Sequence, residues 1–85
     1  MSENNTRDTV ATVCRLITEL KPAVSDKVSG DARLQSEIGL TSVEIIDLVL
    51  AAEDEFEIEI PDDDTGELMD ATVADLARRV DDLVG

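Results

Sequence analysis

Residues 39–56 read Gly39-Leu40-Thr41-Ser42-Val43-Glu44-Ile45-Ile46-Asp47-Leu48-Val49-Leu50-Ala51-Ala52-Glu53-Asp54-Glu55-Phe56. Thr41 followed three residues later by Glu44 is a capping box. The hydroxyl accepts from an orphan first-turn N–H, and the carboxylate reaches back to the cap's own N–H. This makes Ser42 the first helical residue and predicts a helix from Ser42 to about Phe56. The apolar residues of that helix exceed a single stripe. Ile45, Leu48, Val49, Ala52 and Phe56 fall on one face, while Val43, Ile46 and Leu50 fall on a second, beside Asp47, Glu53 and Asp54. One face is enough for a core, so the second is expected to meet a partner.

Toward the N-terminus, residues 22–40 read PAVSDKVSGDARLQSEIGL, punctuated by Pro, Gly and Ser and without long periodicity. This is a long loop for a small domain, and such loops are usually functional or tied down. Val24, Val28, Leu34, Ile38 and Leu40 are expected to peg it to the core. Before it, Val10, Val13, Ile17 and Leu20 recur at helical spacing, flanked by Cys14 and Leu16. That helix should start near Asn5 or Thr6, with Asn5 and Asp8 in a capping arrangement, and end about Lys21, because Pro22 disfavours helical geometry in the residue before it. Cys14 reads as a small apolar filler.

Toward the C-terminus, Glu57–Pro61 is too short and too isolated for a strand and reads as an extended connector whose Ile58 and Ile60 enter the core. Pro61 suits a short helical turn through residues 62–69. Thr72 caps a last helix in which Val73, Leu76, Ala77, Val80, Leu83 and Val84 face one way, and Arg78 and Arg79 in its later half suit the helix dipole. The expected fold is all-α: a four-helix bundle of three longer helices and one short one, with a long loop between helices one and two. It occupies residues 6–85 as a single domain behind a disordered tail, residues 1–5.

Composition narrows the function. The 85 residues hold 21 acids against 7 bases, a net charge of −14, no histidine, one cysteine and one aromatic, Phe56. An apolar fraction of 42% is too high for an acidic disordered tail. The charge excludes a phosphate-neutralising nucleic-acid binder, and one Phe makes no stacking platform for bases. No apolar run is long enough for a membrane span, and MSENNTRD lacks the apolar core of a signal peptide, so the cytoplasm is the expected compartment. Without histidine there is no Ser-His or Cys-His pair, and neither catalytic residues nor a metal site is expected. An EF-hand loop starting at Asp62 would need Gly at its sixth position, where Glu67 stands.

No Lys or Arg occurs between Arg33 and Arg78, a stretch holding fourteen acids. A solvated face accounts for many of them. Glu44, Asp47, Glu53 and Asp54, beside Thr41, Val43, Ile46 and Leu50, also suit docking to a basic patch, with charge steering the encounter and the apolar strip adding specificity. Ser42 can simply assist the helix start, as serine commonly does. Since Thr41 already fills the cap, the Ser42 hydroxyl is instead left available to solvent or to a modifying enzyme, at a helix end where an attached phosphate is tolerated. Composition alone fits a non-covalent acidic adaptor nearly as well as a modified carrier.

The run Leu34-x-x-x-Ile38-Gly39-Leu40-Thr41-Ser42-Val43-Glu44, continuing through Ile46, Leu48, Glu53-Asp54-Glu55-Phe56, Ile60-Pro61 and Ala71-Thr72-Val73-x-Asp75-Leu76, resembles the acyl carrier proteins over nearly the whole chain. The resemblance implies phosphopantetheine, drawn from coenzyme A, joined to Ser42 by a phosphodiester. It further implies acyl cargo held as a thioester, with helix two as the docking element. Implied partners are a phosphopantetheinyl transferase and a loading enzyme, acyltransferase or ketosynthase with a basic patch. The molecule is expected to be a monomer, in a fatty acid, polyketide or related pathway. An aminoacyl or peptidyl carrier, and a carrier-like fold that is never modified, are the variants beside it. The family's usual Asp-Ser-Leu reads Thr41-Ser42-Val43 here. Thr keeps the cap, while the missing carboxylate bears on acceptance by a transferase. Ala52 stands where the family often has a larger inward residue, so room for a sequestered acyl chain is expected near it.

Overall fold

Four α-helices follow one another in a computed structural model that describes residues 6–84: α1 (Thr6–Leu20), α2 (Ser42–Phe56), α3 (Asp62–Leu68) and α4 (Val73–Val84). The expected tail, residues 1–5, and the expected Asn5 cap of α1 lie outside the described residues. Helix α1 packs chiefly on α4 and next on α2, in a body of 35 × 26 × 19 Å. Val13, Leu16 and Ile17 of α1, Ile45, Leu48, Val49 and Ala52 of α2, and Val73, Leu76, Ala77 and Val80 of α4 are all buried. These are most of the stripes read from the sequence, whose Val10, Leu20 and Phe56 are half-buried against them, and burying them is the main force holding the bundle together. At the far end of α4 the stripe leaves the core, and Leu83 and Val84 are exposed.

Pro22 ends α1 as expected, and it also starts an element that the sequence pattern does not announce. Residues Pro22–Lys27 form a 3₁₀ helix, opened by the Val24 N–H donating to the Lys21 carbonyl at 3.1 Å. The fixed φ of proline is pre-set for a first helical position, and the six-residue run is longer than the three or four residues that 3₁₀ geometry usually sustains. The remainder of the connection is pinned by burial of Val24, Ala32, Leu34, Ile38 and Leu40.

Backbone bonds do the rest of the pinning. The Leu34 N–H donates to the Ala71 carbonyl at 2.9 Å, the Val73 N–H to the Ala32 carbonyl at 3.0 Å, and the Ala74 N–H to the Gly30 carbonyl at 2.9 Å. The loop before α2 is thereby stitched to the start of α4. Thr72 caps α4 as expected, its hydroxyl accepting from the Asp75 N–H at 3.1 Å. Arg78 and Arg79 sit short of the last turn and pair with acids rather than with the helix end: Arg78 with Asp75 at 3.6 Å, Arg79 with Asp64 at 3.8 Å.

Candidate functional site

The start of α2 is built as the sequence predicts. The Glu44 N–H donates to the Thr41 hydroxyl at 3.1 Å and the Thr41 N–H to Glu44 Oε1 at 2.9 Å, closing the capping box. A cap of this kind is worth about 1 kcal/mol. Just before it, Gly39 lies at φ 89°. Open space surrounds the position where a Cβ would stand, so the turn's left-handed backbone, rather than crowding, calls for glycine. The turn swings the chain from buried Leu40 into the exposed pair Thr41 and Ser42.

Ser42 is exposed and takes no part in the cap. Its side chain meets Gln35, whose Nε2 donates to Ser42 Oγ at 3.4 Å. A group joined to that oxygen would project into solvent from the positive end of a fifteen-residue helix, where a phosphate's charge is favoured. The residues present therefore fit a phosphodiester at this position. Cys14 offers no competing thiol, since it is partly covered and burial pushes its pKa up, toward the unreactive thiol form.

The residues assigned to docking separate into two kinds. Val43, Ile46 and Leu50 are exposed by 67%, 44% and 56%, an apolar strip on the outer face of α2. Asp47 and Asp54 are exposed beside it. Thr41, Glu44 and Glu53 instead work within the fold. Glu44 completes the cap and pairs with Lys21 at 3.2 Å. Glu53 organises the turn after α2: its carbonyl accepts the Ile58 N–H at 3.1 Å, and Oε2 accepts the Ile60 N–H at 2.6 Å. Between them Glu57 adopts a left-handed conformation, φ 56°, and Ile60 is carried into the core.

Sequence reasoning missed Gln35, Lys21 and an anchor at Asp70. Asp70 accepts from the Ser36 N–H at 3.0 Å and from the Ser36 hydroxyl at 3.1 Å, and Arg33 donates to the Asp70 carbonyl at 3.0 Å. The bonds of Lys21 and Asp70 join residues more than twenty positions apart, that of Gln35 residues seven apart, and no local pattern announces them. A groove of about 400 Å³ opens between α2 and α3, lined by Ile46, Val49, Leu50, Ile60, Gly66 and Met69 among others. Spare room was expected near Ala52 instead. That residue is fully buried and does not line the groove, because it points inward while the groove opens on the outer flank of α2.

Two carboxylates here are held below their ordinary range. For Glu44 the first cause is the Thr41 N–H, followed by the Lys21 ammonium. For Asp70 it is the Ser36 N–H. Donors to the charged form depress a carboxylate pKa. The stabilisation is therefore present above the unfolded carboxylate range and disappears as pH falls through the lower folded values. Protonation also relieves the repulsion of a −14 molecule, so a local readout is required. In carboxyl-carbon NMR titrations, Glu44 and Asp70 should show midpoints below the usual carboxylate range of about 4. Amide exchange at Thr41 and Ser36 should accelerate, relative to intrinsic rates, only below those midpoints. Ordinary midpoints for both groups would refute the assignment.

Known proteins resemble this chain over most of its length. Residues 7–80 match the family described as "Phosphopantetheine attachment site". The chain is similar to an acyl carrier protein of Akkermansia muciniphila, 32% identical over 85 residues and the full length of both. It is similar to one of Zymomonas mobilis, 35% identical over 75 residues, 88% of this chain and 94% of the relative. A third, from Bdellovibrio bacteriovorus, is 44% identical over 52 residues, 61% of this chain and 64% of its own.

Proposed function

This chain belongs to the acyl carrier protein family, and we propose that it receives phosphopantetheine on Ser42 and ferries acyl intermediates between the enzymes of a biosynthetic pathway. Phosphopantetheine is the group this family carries. When bound, it supplies a thiol at the end of a flexible arm, on which an acyl chain travels as a thioester. The observation that carries the reading is the Ser42 hydroxyl, exposed at the first position of α2 while Thr41 does the capping.

The chain's own part is presentation and selection. The capping box fixes where the serine points from, the pinned loop fixes how α2 sits, and the strip of Val43, Ile46 and Leu50 with Asp47 and Asp54 selects the docking enzyme. We assign residues 6–85 to one carrier unit, working as a monomer in the cytoplasm. Its partners in this reading are a phosphopantetheinyl transferase and acyl-handling enzymes with basic patches. No helix among the described residues is long and apolar enough to cross a membrane.

The test is incubation with coenzyme A, magnesium and a promiscuous transferase, read by intact mass. The expected result is a gain of one phosphopantetheine; an unchanged mass under conditions that load another carrier would overturn the proposal. Docking is tested separately. Asp47 is exposed and makes no ion pair among the described residues, so its charge is free to steer. Asp47→Lys should lower kcat/KM for cargo transfer roughly 3- to 10-fold at low ionic strength, with the gap closing as salt screens the field. Equal rates at low salt would remove Asp47 from the docking surface.

A further inference from the structure

Gln35 is half-buried on a piece of loop fixed at both flanks. On one side, Leu34 donates its N–H to the Ala71 carbonyl, and its own carbonyl accepts the Leu40 N–H, both at 2.9 Å. On the other, Ser36 is tied to Asp70 by its N–H and its hydroxyl. The loop therefore doubles back, and residue 35 comes to rest beside the start of α2, with its amide 3.4 Å from Ser42 Oγ. The neighbouring polar side chains are already committed: Thr41 and Glu44 to the capping box, and Lys21 to Glu44.

We propose that Gln35 is a positioning residue for the loading of Ser42. This rests on the reading of Ser42 as the attachment point. An exposed serine at a helix start samples several rotamers. A donor aimed at Oγ selects one of them and turns the hydroxyl proton outward, toward the base that must remove it. In loading, the Oγ–H bond breaks and an Oγ–P bond forms at the phosphorus bearing the pantetheine. The pyrophosphate P–O bond of coenzyme A breaks, adenosine 3′,5′-bisphosphate departs with the electron pair, and the proton passes to the transferase. Gln35 exchanges no atoms. Afterwards the same N–H donates to the new phosphodiester. A neutral donor suits both stages, since a carboxylate there would repel the phosphate and this part of the chain is otherwise acidic.

Gln35 is the sole glutamine of the chain, so its side-chain amide pair can be followed in nitrogen-15 spectra. In unloaded protein, Ser42→Ala should displace that pair, and loading of the parent should displace it again. Gln35→Glu removes the donor and adds a repelling charge, whereas Gln35→Met, neutral and of similar length, removes the donor alone. Gln35→Met should lower kcat/KM for loading about 3- to 10-fold, the size expected for one lost hydrogen bond, mostly in kcat; Gln35→Glu should lower it at least as much and move the phosphorus-31 resonance of the loaded protein. If Gln35→Met loads like the parent, the role is overturned, and a defect confined to Gln35→Ala would mark a packing function instead. A parent protein that gains no mass would overturn the attachment reading, and this role with it. A loaded parent beside an indifferent Gln35→Met overturns the role of Gln35 alone.

Discussion

Ser42→Ala is expected to gain no mass from coenzyme A under conditions that load the parent completely, while keeping the parent's helical circular dichroism. The oxygen that forms the new bond to phosphorus is gone, and no nearby hydroxyl replaces it. Thr41 Oγ1 is engaged as the acceptor of the helix cap, and the Ser36 hydroxyl donates to Asp70. Folding should be indifferent. The cap does not use Ser42, and alanine has the higher helix propensity by at most about 0.5 kcal/mol. What the variant gives up is the 3.4 Å hydrogen bond from Gln35, which lies at the surface. Mass gain in the alanine variant would place the attachment elsewhere. Loss of helical signal would mean that Ser42 supports the fold instead of standing free of it.

Leu34→Ala should have the largest effect on stability. Leu34 is fully buried although it belongs to a loop, and its backbone holds both the start of α4 and the approach to α2. Removing such a side chain typically costs about 2–5 kcal/mol. A domain of this length has a total stability of roughly 4–13 kcal/mol, by the usual range per residue. The variant should therefore unfold at a clearly lower urea concentration and melt about 8 °C or more below the parent. Loading should slow even where the variant remains folded, since the stretch between Leu34 and Leu40 leads directly into Ser42. A urea midpoint equal to the parent's would show that the peg is dispensable and that backbone bonds alone hold the loop.

Those two residues also mark what could be read from the amino-acid order and what could not. The capping box, the inward face Ile45, Leu48, Val49 and Ala52, and the outward strip Val43, Ile46 and Leu50 are local patterns. Helical geometry converts them directly into burial and exposure. The buried pegs of the loop were legible for a similar reason, as isolated apolar residues in a polar setting. The 3₁₀ helix after Pro22 was not, because six residues carry too little periodicity to separate it from a turn. Glu53 shows the opposite failure. A carboxylate on the outer flank of a helix looks like docking charge, yet its oxygen accepts the Ile60 N–H and shapes the exit from α2. That pairing depends on the left-handed backbone at Glu57, which composition does not reveal. Gln35 reached the site only through the folding-back of the loop. Placement by a loop that folds back over seven residues has no signature in spacing.

The stitching of residues 30–34 to residues 71–74 bears on the order of events during synthesis. A ribosome makes Ser42 well before the first turn of α4, so the nascent chain carries the hydroxyl while still lacking the scaffold that aims it. A chain cut short before residue 71 would display Ser42 after a loop without these bonds.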